Sequence, residues 1–203
     1  MRILYAGFEP FGGEATNPSY EALRLLPAAV GGAEVYRAQL PTAFEAGPRA
    51  LLAAMERIQP DCVICVGQAG GRAAVTPEKV AVNCRDARIP DNAGLQPCDE
   101  RVDDDGPAAY FTGLPVRRIV ERCREAGIPA AVSYSAGTFV CNAVMYRLMR
   151  AVEQRFPGVK AGLIHVPYAA EQAAAREAST PGMELRRMAE ALRIAGEEAL
   201  AGR

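Results

Sequence analysis

The sequence has almost no net charge, no long apolar run and a single histidine, and each shortage narrows the range of functions. Its 23 Lys and Arg residues are scattered and are balanced by 24 Asp and Glu residues. Nucleic acids and anionic membrane surfaces attract clustered basic residues, so we expect neither as a partner. No apolar stretch approaches the roughly 20 residues of a membrane-spanning helix. The first residues, MRILYAG, are followed too soon by Glu9 and Pro10 for a signal peptide, so we expect a cytoplasmic protein.

Six cysteines are present, yet their spacing indicates neither disulfides nor a metal centre. They form no framework of the kind found in small secreted domains. Cys62 and Cys65 make a C-x-x-C pair, but they lie in the strand-like run DCVICV, where residues three apart point to opposite faces. A tetrahedral zinc site would also lack ligands, because there is no second cysteine pair and only one histidine. We therefore predict two ordinary buried cysteines, no metal and no other cofactor.

Short apolar segments rich in Val and Ile alternate with helical patterns. The strand-like segments cover residues 2–6, 34–39, 62–66, 79–83, 130–135 and 161–166. Helical patterns cover residues 19–26, 48–58, 115–126 and 140–152, and a last helix is predicted from Thr180 as N-cap and Pro181. This alternation predicts a single-domain three-layer α/β/α sandwich over residues 1–203, with a mostly parallel twisted sheet. Residues 85–106 interrupt it, and their polar composition is typical of a solvated, partly mobile loop.

The single histidine restricts the catalytic mechanisms that the chain can support. Any Cys–His or Ser–His hydrolysis must use His165, which ends the strand-like run GLIHV, where ligand sites of open α/β sheets gather. A hydrogen-bonded structural histidine fits that position equally well. Cys141, in the stretch SAGTFVCNA, follows a strand-like segment and a turn at Gly137, and so falls in the first turn of a helix. The positive helix end should lower the pKa of its thiol and favour the thiolate, although a buried inert cysteine is the alternative.

Other elements of a site are less well defined by local pattern. A carboxylate would orient the imidazole, and Glu78 begins a strand-like run, but Asp86, Asp91 and Asp99 are equally acceptable. The glycine-rich stretch GQAGG after residue 66 lacks the spacing of a nucleotide-binding turn. The stretch FEPFGG holds two phenylalanines in a Gly/Pro-rich turn, where partly exposed aromatics indicate binding more often than core packing.

Seven of these stretches, taken together and in order, resemble the pyroglutamyl peptidase type I family, also called pyrrolidone-carboxylate peptidases. They span most of the chain and read GFEPFGG with NPS (7–13, 17–19), GQAGGR (67–72), PEKVAVN (77–83), DARIPDN (86–92), DGPAAY (105–110), SAGTFVCN (135–142) and HVPY (165–168). The resemblance implies a cysteine peptidase that removes N-terminal pyroglutamate from peptides through a thioester. It also implies a homo-oligomer, either a dimer or a tetramer.

The resemblance assigns roles to individual residues. It implies Cys141 as the nucleophile, His165 as the base and Glu78 as the orienting carboxylate. It further implies that Arg88 supports charge near the reacting atoms. The substrate-binding residues by resemblance are the ring-sandwiching pair and two polar neighbours: Phe8, Phe11, Asn17 and Gln68. One departure is Ala143, since many family members have histidine there, and it affects only the tuning of the thiol.

Two alternatives come from other classes of function. The fold resembles that of purine nucleoside phosphorylases, so a phosphate-dependent nucleosidase is one alternative, which a requirement for phosphate would support. The other is a catalytically silent module that binds pyroglutamyl groups. The simultaneous presence of Cys141, His165 and Glu78 argues against silence.

Overall fold

A computed structural model describes residues 1–201, which contain ten strands and six helices. The main sheet has the order β2-β3-β1-β4-β8-β5. Its strands are β1 (Arg2–Phe8), β2 (Ala29–Val30), β3 (Ala33–Leu40), β4 (Cys62–Gln68), β5 (Thr76–Pro77) and β8 (Lys160–Val166). The helices are α1 (Pro18–Arg24), α2 (Ala46–Ile58), α3 (Val116–Glu125), α4 (Val140–Gln154), α5 (Ala170–Ala174) and α6 (Leu185–Leu200). Two small pairs complete the fold: β6 (Val80–Val82) with β7 (Ala109–Phe111), and β9 (Tyr168–Ala169) with β10 (Gly182–Met183).

The central strands are apolar throughout because helices cover both faces of the sheet. Strands β3, β1, β4 and β8 are mutually parallel. Along β1, Ile3 and Tyr5 pack with α1, α3 and α6, whereas Leu4 and Ala6 pack with α2 and α4. Side chains alternate across a strand, so continuous apolar runs supply two cores at once. The predicted three-layer α/β/α sandwich is confirmed.

The C-x-x-C pair lies within β4 and is divided between the two cores. Cys62 packs on the face that carries α1, α3 and α6, and Cys65 packs on the face that carries α2 and α4. Both thiols are buried, and burial raises the pKa of Cys65. The prediction that they point to opposite faces is confirmed, and they act as small apolar side chains.

Three predicted elements differ from the structure. Residues 130–135 form only isolated bridges, Val75 with Ala130 and Glu78 with Ser133, because they lie beside the two-residue edge strand β5. The segment predicted over 79–83 lies outside the main sheet, since β6 pairs with β7 in an antiparallel hairpin. The last helix begins at Leu185 and not at Pro181, because Gly182 and Met183 pair with β9 as a strand.

The loop of residues 85–106 is anchored at its middle. Asp91 is 6% exposed, and its carboxylate accepts hydrogen bonds from the backbone N–H groups of Phe44, Ala93 and Leu95. The Asn92 amide donates to Glu9 Oε1. The loop is therefore attached to the turn that follows β1. Among residues 1–201, no helix is long and apolar enough to cross a membrane.

Candidate active site

The site forms where β4, β8 and β5 run side by side. The parallel pairing of β4 with β8 sets Gly67 opposite His165, and the antiparallel pairing of β5 with β8 sets Thr76 opposite His165. Leu163, two residues before His165, packs on the face covered by α2 and α4. Because side chains alternate, His165 points to that same face, toward the start of α4.

His165 is held by Glu78 through a short, buried hydrogen bond. Nδ1 of His165 lies 2.7 Å from Oε1 of Glu78, and the two residues are 4% and 0% exposed. Burial alone would raise the pKa of Glu78. The hydrogen bond and charge of His165, with the nearby Ser133 hydroxyl and the hydrogen bond from Arg72, outweigh burial and lower that pKa below its usual range. An ionised carboxylate only accepts hydrogen bonds, so Nδ1 carries a proton, and in the neutral imidazole Nε2 is the nitrogen that can accept one.

Cys141 lies in the first turn of α4 and meets His165 over Gly67. A Cβ atom added to Gly67 would lie 2.7 Å from Cys141 Sγ and 2.9 Å from His165 Nε2. The thiol and the free imidazole nitrogen therefore approach the same point above the β4 backbone. Gly137, with φ of +75°, makes the turn that leads into this helix, as the sequence predicts.

The protonation state of Cys141 differs from the prediction. Burial and the charge of Glu78 raise the pKa of this thiol to about 12, and Arg72 and a backbone hydrogen bond offset only part of that increase. The expected net lowering by the helix end is wrong for the unliganded protein, because the partly buried thiol lies near the buried Glu78 carboxylate. The thiol therefore carries its proton at rest.

A cavity of about 180 Å³ opens onto the thiol and the imidazole. It is smaller than the roughly 300 Å³ at which pockets for drug-sized ligands begin. Its lining is largely aromatic and small, with few polar groups: Phe8, Phe11, Asn17, Thr42, Gln68, Ala69, Arg72, Ala136, Gly137, Phe139, Cys141 and His165. The described lining contains no carboxylate. The cavity therefore suits one small ring that carries no positive charge.

The predicted ring-binding pair reaches this cavity in two different ways. Phe11 is half-buried, with its ring centroid 6.1 Å from that of Phe139. Phe8 is 2% exposed and also packs in the core beneath the cavity, so the expectation of partial exposure is wrong for Phe8. Phe8 is the last residue of β1, and its backbone N–H donates to Ser19 Oγ, which fixes its position.

The predicted polar residues occupy different places around the cavity. Asn17 lines it, but its side chain caps α1 by accepting from the Ser19 N–H and donates to the Glu9 carbonyl. Gln68 lines it with a buried Oε1 that accepts no hydrogen bond from the described residues. Arg88 is exposed and lines an adjacent cavity that shares Phe11 and Phe139. Ala143 is buried in the core and lines neither cavity.

Sequence reasoning missed several residues that the fold brings to the site. Gly67, Arg72, Thr42 and Phe139 line the cavity or contact its reactive groups. Gly67 and Arg72 stand in the GQAGGR stretch, and Phe139 stands two residues before Cys141, so their motifs were the available signal. Thr42 lies in no such motif. It is held at the site by hydrogen bonds to the backbone carbonyl and the carboxylate of Glu9.

A thiol, an imidazole and a buried carboxylate at the edge of a small cavity define a hydrolase of the cysteine-peptidase class. The comparisons with known proteins agree with this class. The sequence profile of the pyroglutamyl peptidase family matches residues 1–201. The chain belongs to this family.

Several relatives show how closely the chain follows the family. The pyrrolidone-carboxylate peptidase of Bacillus amyloliquefaciens is 51% identical over 195 residues, which make up 96% of this chain and 90% of the relative. A crystal structure of pyroglutamyl peptidase I from B. amyloliquefaciens superposes with a TM-score of 0.94 at 51% identity, covering 98% of this chain and 97% of the other. The pyrrolidone carboxyl peptidase of Thermococcus litoralis gives a TM-score of 0.94 at 39% identity, covering 98% and 93%.

Proposed function

We propose that this protein removes pyroglutamate from the N-terminus of peptides, with Cys141 as nucleophile, His165 as general base and acid, and Glu78 as the group that orients His165. The observation that carries the proposal is the small, carboxylate-free cavity beside the thiol and the imidazole. Pyroglutamate is a flat lactam without a free amine. An ordinary aminopeptidase would need a carboxylate to bind the substrate's ammonium group, whereas this substrate offers no such group.

The reaction follows from the positions of the three groups. As Sγ of Cys141 forms a bond to the pyroglutamyl carbonyl carbon, its proton passes to Nε2 of His165. The C–N bond then breaks, and the leaving amine takes that proton, which leaves a thioester on Cys141. Water attacks the thioester and gives a proton to His165, which returns it to Sγ as pyroglutamate departs. Because the resting thiol is protonated, proton transfer accompanies the first attack.

The surroundings of Cys141 also support the tetrahedral steps. Phe139, at the N-cap of α4, makes no side-chain capping hydrogen bond, so the first N–H groups of the helix remain available. We propose that the backbone N–H of Cys141 donates to the oxyanion, a role that suits the positive end of a helix.

We propose that Phe8, Phe11 and Phe139 hold the faces of the lactam ring. The buried Oε1 of Gln68 accepts the lactam N–H, since that oxygen otherwise has no hydrogen-bond donor among the described residues. Asn17 contributes indirectly by fixing the backbone of Glu9 and the start of α1. Arg88 acts from the adjacent cavity on charge at the mouth of the site.

Hydrolysis of fluorogenic amides tests this function directly. We expect the wild-type protein to hydrolyse pyroglutamyl-amide at least about 100-fold faster, as kcat/KM, than the glutaminyl-, glutamyl- and prolyl-amides, because only the lactam pairs with the site without an ammonium group. Neither phosphate nor EDTA should change the rate. Equal rates on glutaminyl-amide, or a dependence on phosphate, would contradict the proposal.

A substitution at Gly67 tests whether the thiol of Cys141 and the imidazole of His165 meet above this residue. We expect Gly67→Ala to lower kcat/KM for pyroglutamyl-amide by about 100-fold or more, because its methyl group would displace Sγ or Nε2, and small displacements of reacting groups cost about that much. The control is Gly113→Ala, whose added methyl would also make a tight contact, 3.3 Å from the backbone nitrogen of Ala161, but outside the cavity. It should cost some stability and leave kcat/KM near wild type. Full activity of a folded Gly67→Ala protein would refute the proposed meeting of thiol and imidazole.

We further propose that residues 1–203 act as a single catalytic domain, that the protein is cytoplasmic, and that it assembles as a dimer or tetramer. Light scattering of the purified protein measures the assembly directly. A monomer at micromolar concentration would contradict it.

A further inference from the structure

Arg72 contacts the buried end of the proposed catalytic group. It follows β4 in a turn in which its backbone N–H donates to the Ala69 carbonyl. Its Nη1 donates to Thr76 Oγ1 and to Glu78 Oε1, each at 2.7 Å, and its Nη2 donates to the Ser135 carbonyl at 3.2 Å. The guanidinium thus links its own turn to residues 76–78 and to Ser135. The Arg72 side chain is 33% exposed, whereas that of Glu78 is fully buried.

A single carboxylate oxygen contacts both Arg72 and His165. Glu78 Oε1 accepts from Nη1 of Arg72 and from Nδ1 of His165, each at 2.7 Å. A buried carboxylate without a fixed cation attracts a proton to its neighbourhood, and here the nearest acceptor of that proton is the imidazole. With Arg72 in place, the charge of Glu78 is already paired. The carboxylate can then orient His165 through its hydrogen bond to Nδ1.

We propose that Arg72 is a positioning residue: its guanidinium fixes the Glu78 carboxylate and pairs its charge, so that Glu78 holds the imidazole of His165 facing Cys141. This inference rests on the proposed function for its catalytic meaning. Arg72 also lines the cavity, yet its three hydrogen bonds are directed to the protein and away from a substrate. No other arginine in the described part of the chain contacts Glu78 in this way.

The groups around Glu78 and His165 determine the direction of the pH shift that we expect when Arg72 is replaced. Those that face Glu78 and His165 are Arg72 from the turn after β4, Cys141 from α4, and the hydroxyl groups of Thr76 and Ser133. Removing the cation leaves the Glu78 carboxylate unpaired near Cys141 and removes the charge that offsets part of the rise in the Cys141 pKa. The reactive form of the thiol should therefore appear at higher pH.

The test compares the pH dependence of kcat/KM on pyroglutamyl-amide for wild type, Arg72→Gln, Arg72→Lys and Arg118→Gln. We expect the acid limb of Arg72→Gln to move up by about one pH unit or more, the size typical of losing an adjacent opposite charge. Arg72→Lys should move it less, because a lysine keeps the charge but cannot make the three-way contact. Arg118, which pairs with Glu121 and Glu198 and does not line the cavity at the thiol, is the matched control and should reproduce the wild-type profile.

A second readout separates this inference from the function on which it rests. The rate at which iodoacetamide alkylates Cys141, followed by peptide mapping so that the exposed Cys98 is counted separately, requires no substrate. Its pH profile should shift upward in Arg72→Gln in the same direction as the acid limb. A wild-type protein without turnover defeats the proposed function, yet the alkylation profile still tests Arg72. A uniform, pH-independent loss of both rates in the arginine variants would overturn the inference, since a merely structural role predicts that result. If Arg72→Gln does not fold, Arg72→Lys decides by the same criterion.

Discussion

Replacing Cys141 by serine is expected to lower kcat/KM on pyroglutamyl-amide by at least about 10⁴-fold, since removing the nucleophile of a hydrolase commonly costs that much or more. The serine hydroxyl is a weaker nucleophile than a thiol and would have to lose its proton to the same His165 Nε2. The thiol already resists ionisation in this site, because burial and Glu78 raise its pKa to about 12. A hydroxyl, which is less acidic still, leaves almost no reactive species. Steady-state kinetics and a single-turnover assay for the acyl-enzyme measure the loss.

The other cysteines supply the control for this experiment. Cys98 is exposed and lies in the loop of residues 85–106, outside the cavity, so Cys98→Ser should retain wild-type rates. Cys141→Ser should still bind a pyroglutamyl peptide in calorimetry, because the proposed ring contacts come from Phe8, Phe11 and Phe139, which the substitution leaves unchanged. Comparable turnover by Cys141→Ser and wild type would show that Cys141 is not the nucleophile. Turnover absent from both, with binding retained, would instead indicate a silent binding module.

The sequence was sufficient for the parts of the fold that are long and buried on both faces. Strands β1, β4 and β8 are continuous apolar runs, and α3 ends just before Gly127, whose φ of +72° only glycine adopts easily. Strands of two or three residues, such as β5 and β10, carry no periodicity of their own, because they exist only through pairing with distant partners. The start of the last helix was misplaced for that reason.

The site was predictable only where local geometry determines it. Cys141 was identifiable because it follows a strand-like segment and a turn, in the first turn of a helix. His165 was identifiable because it ends a strand-like run, where ligand sites of open α/β sheets gather. Glu78 could not be separated from other acids by pattern, since its selection depends on the register of β5 against β8. The protonation state of Cys141 was predicted with the wrong sign, because the helix start is visible in the sequence and the desolvation of the thiol is not. The proposed role of Arg72 depends on a turn whose arginine contacts the nearby residues Thr76 and Glu78 and the distant Ser135.

Replacing Glu78 by glutamine is expected to lower kcat/KM by about 10²- to 10⁴-fold while the fold is retained. A similar replacement of the orienting carboxylate in a serine protease triad costs about 10⁴. Glutamine has nearly the shape of glutamate, but its neutral amide cannot stabilise the imidazolium that forms as Cys141 attacks. Its NH₂ group can also face Nδ1, which selects the tautomer with the proton on Nε2 and leaves the thiol without a base.

Glu78→Asp separates charge from position at the same site. It keeps the carboxylate but withdraws it by one methylene from Nδ1 of His165, where the native contact is 2.7 Å. We expect its kcat/KM to fall between those of wild type and Glu78→Gln, because the aspartate carboxylate keeps its negative charge although its hydrogen bond to Nδ1 is longer. Rates of Glu78→Gln within threefold of wild type would show that His165 needs no carboxylate. A loss in Glu78→Asp as large as that in Glu78→Gln would show that the short contact to Nδ1, more than the charge, is what Glu78 supplies to the reaction.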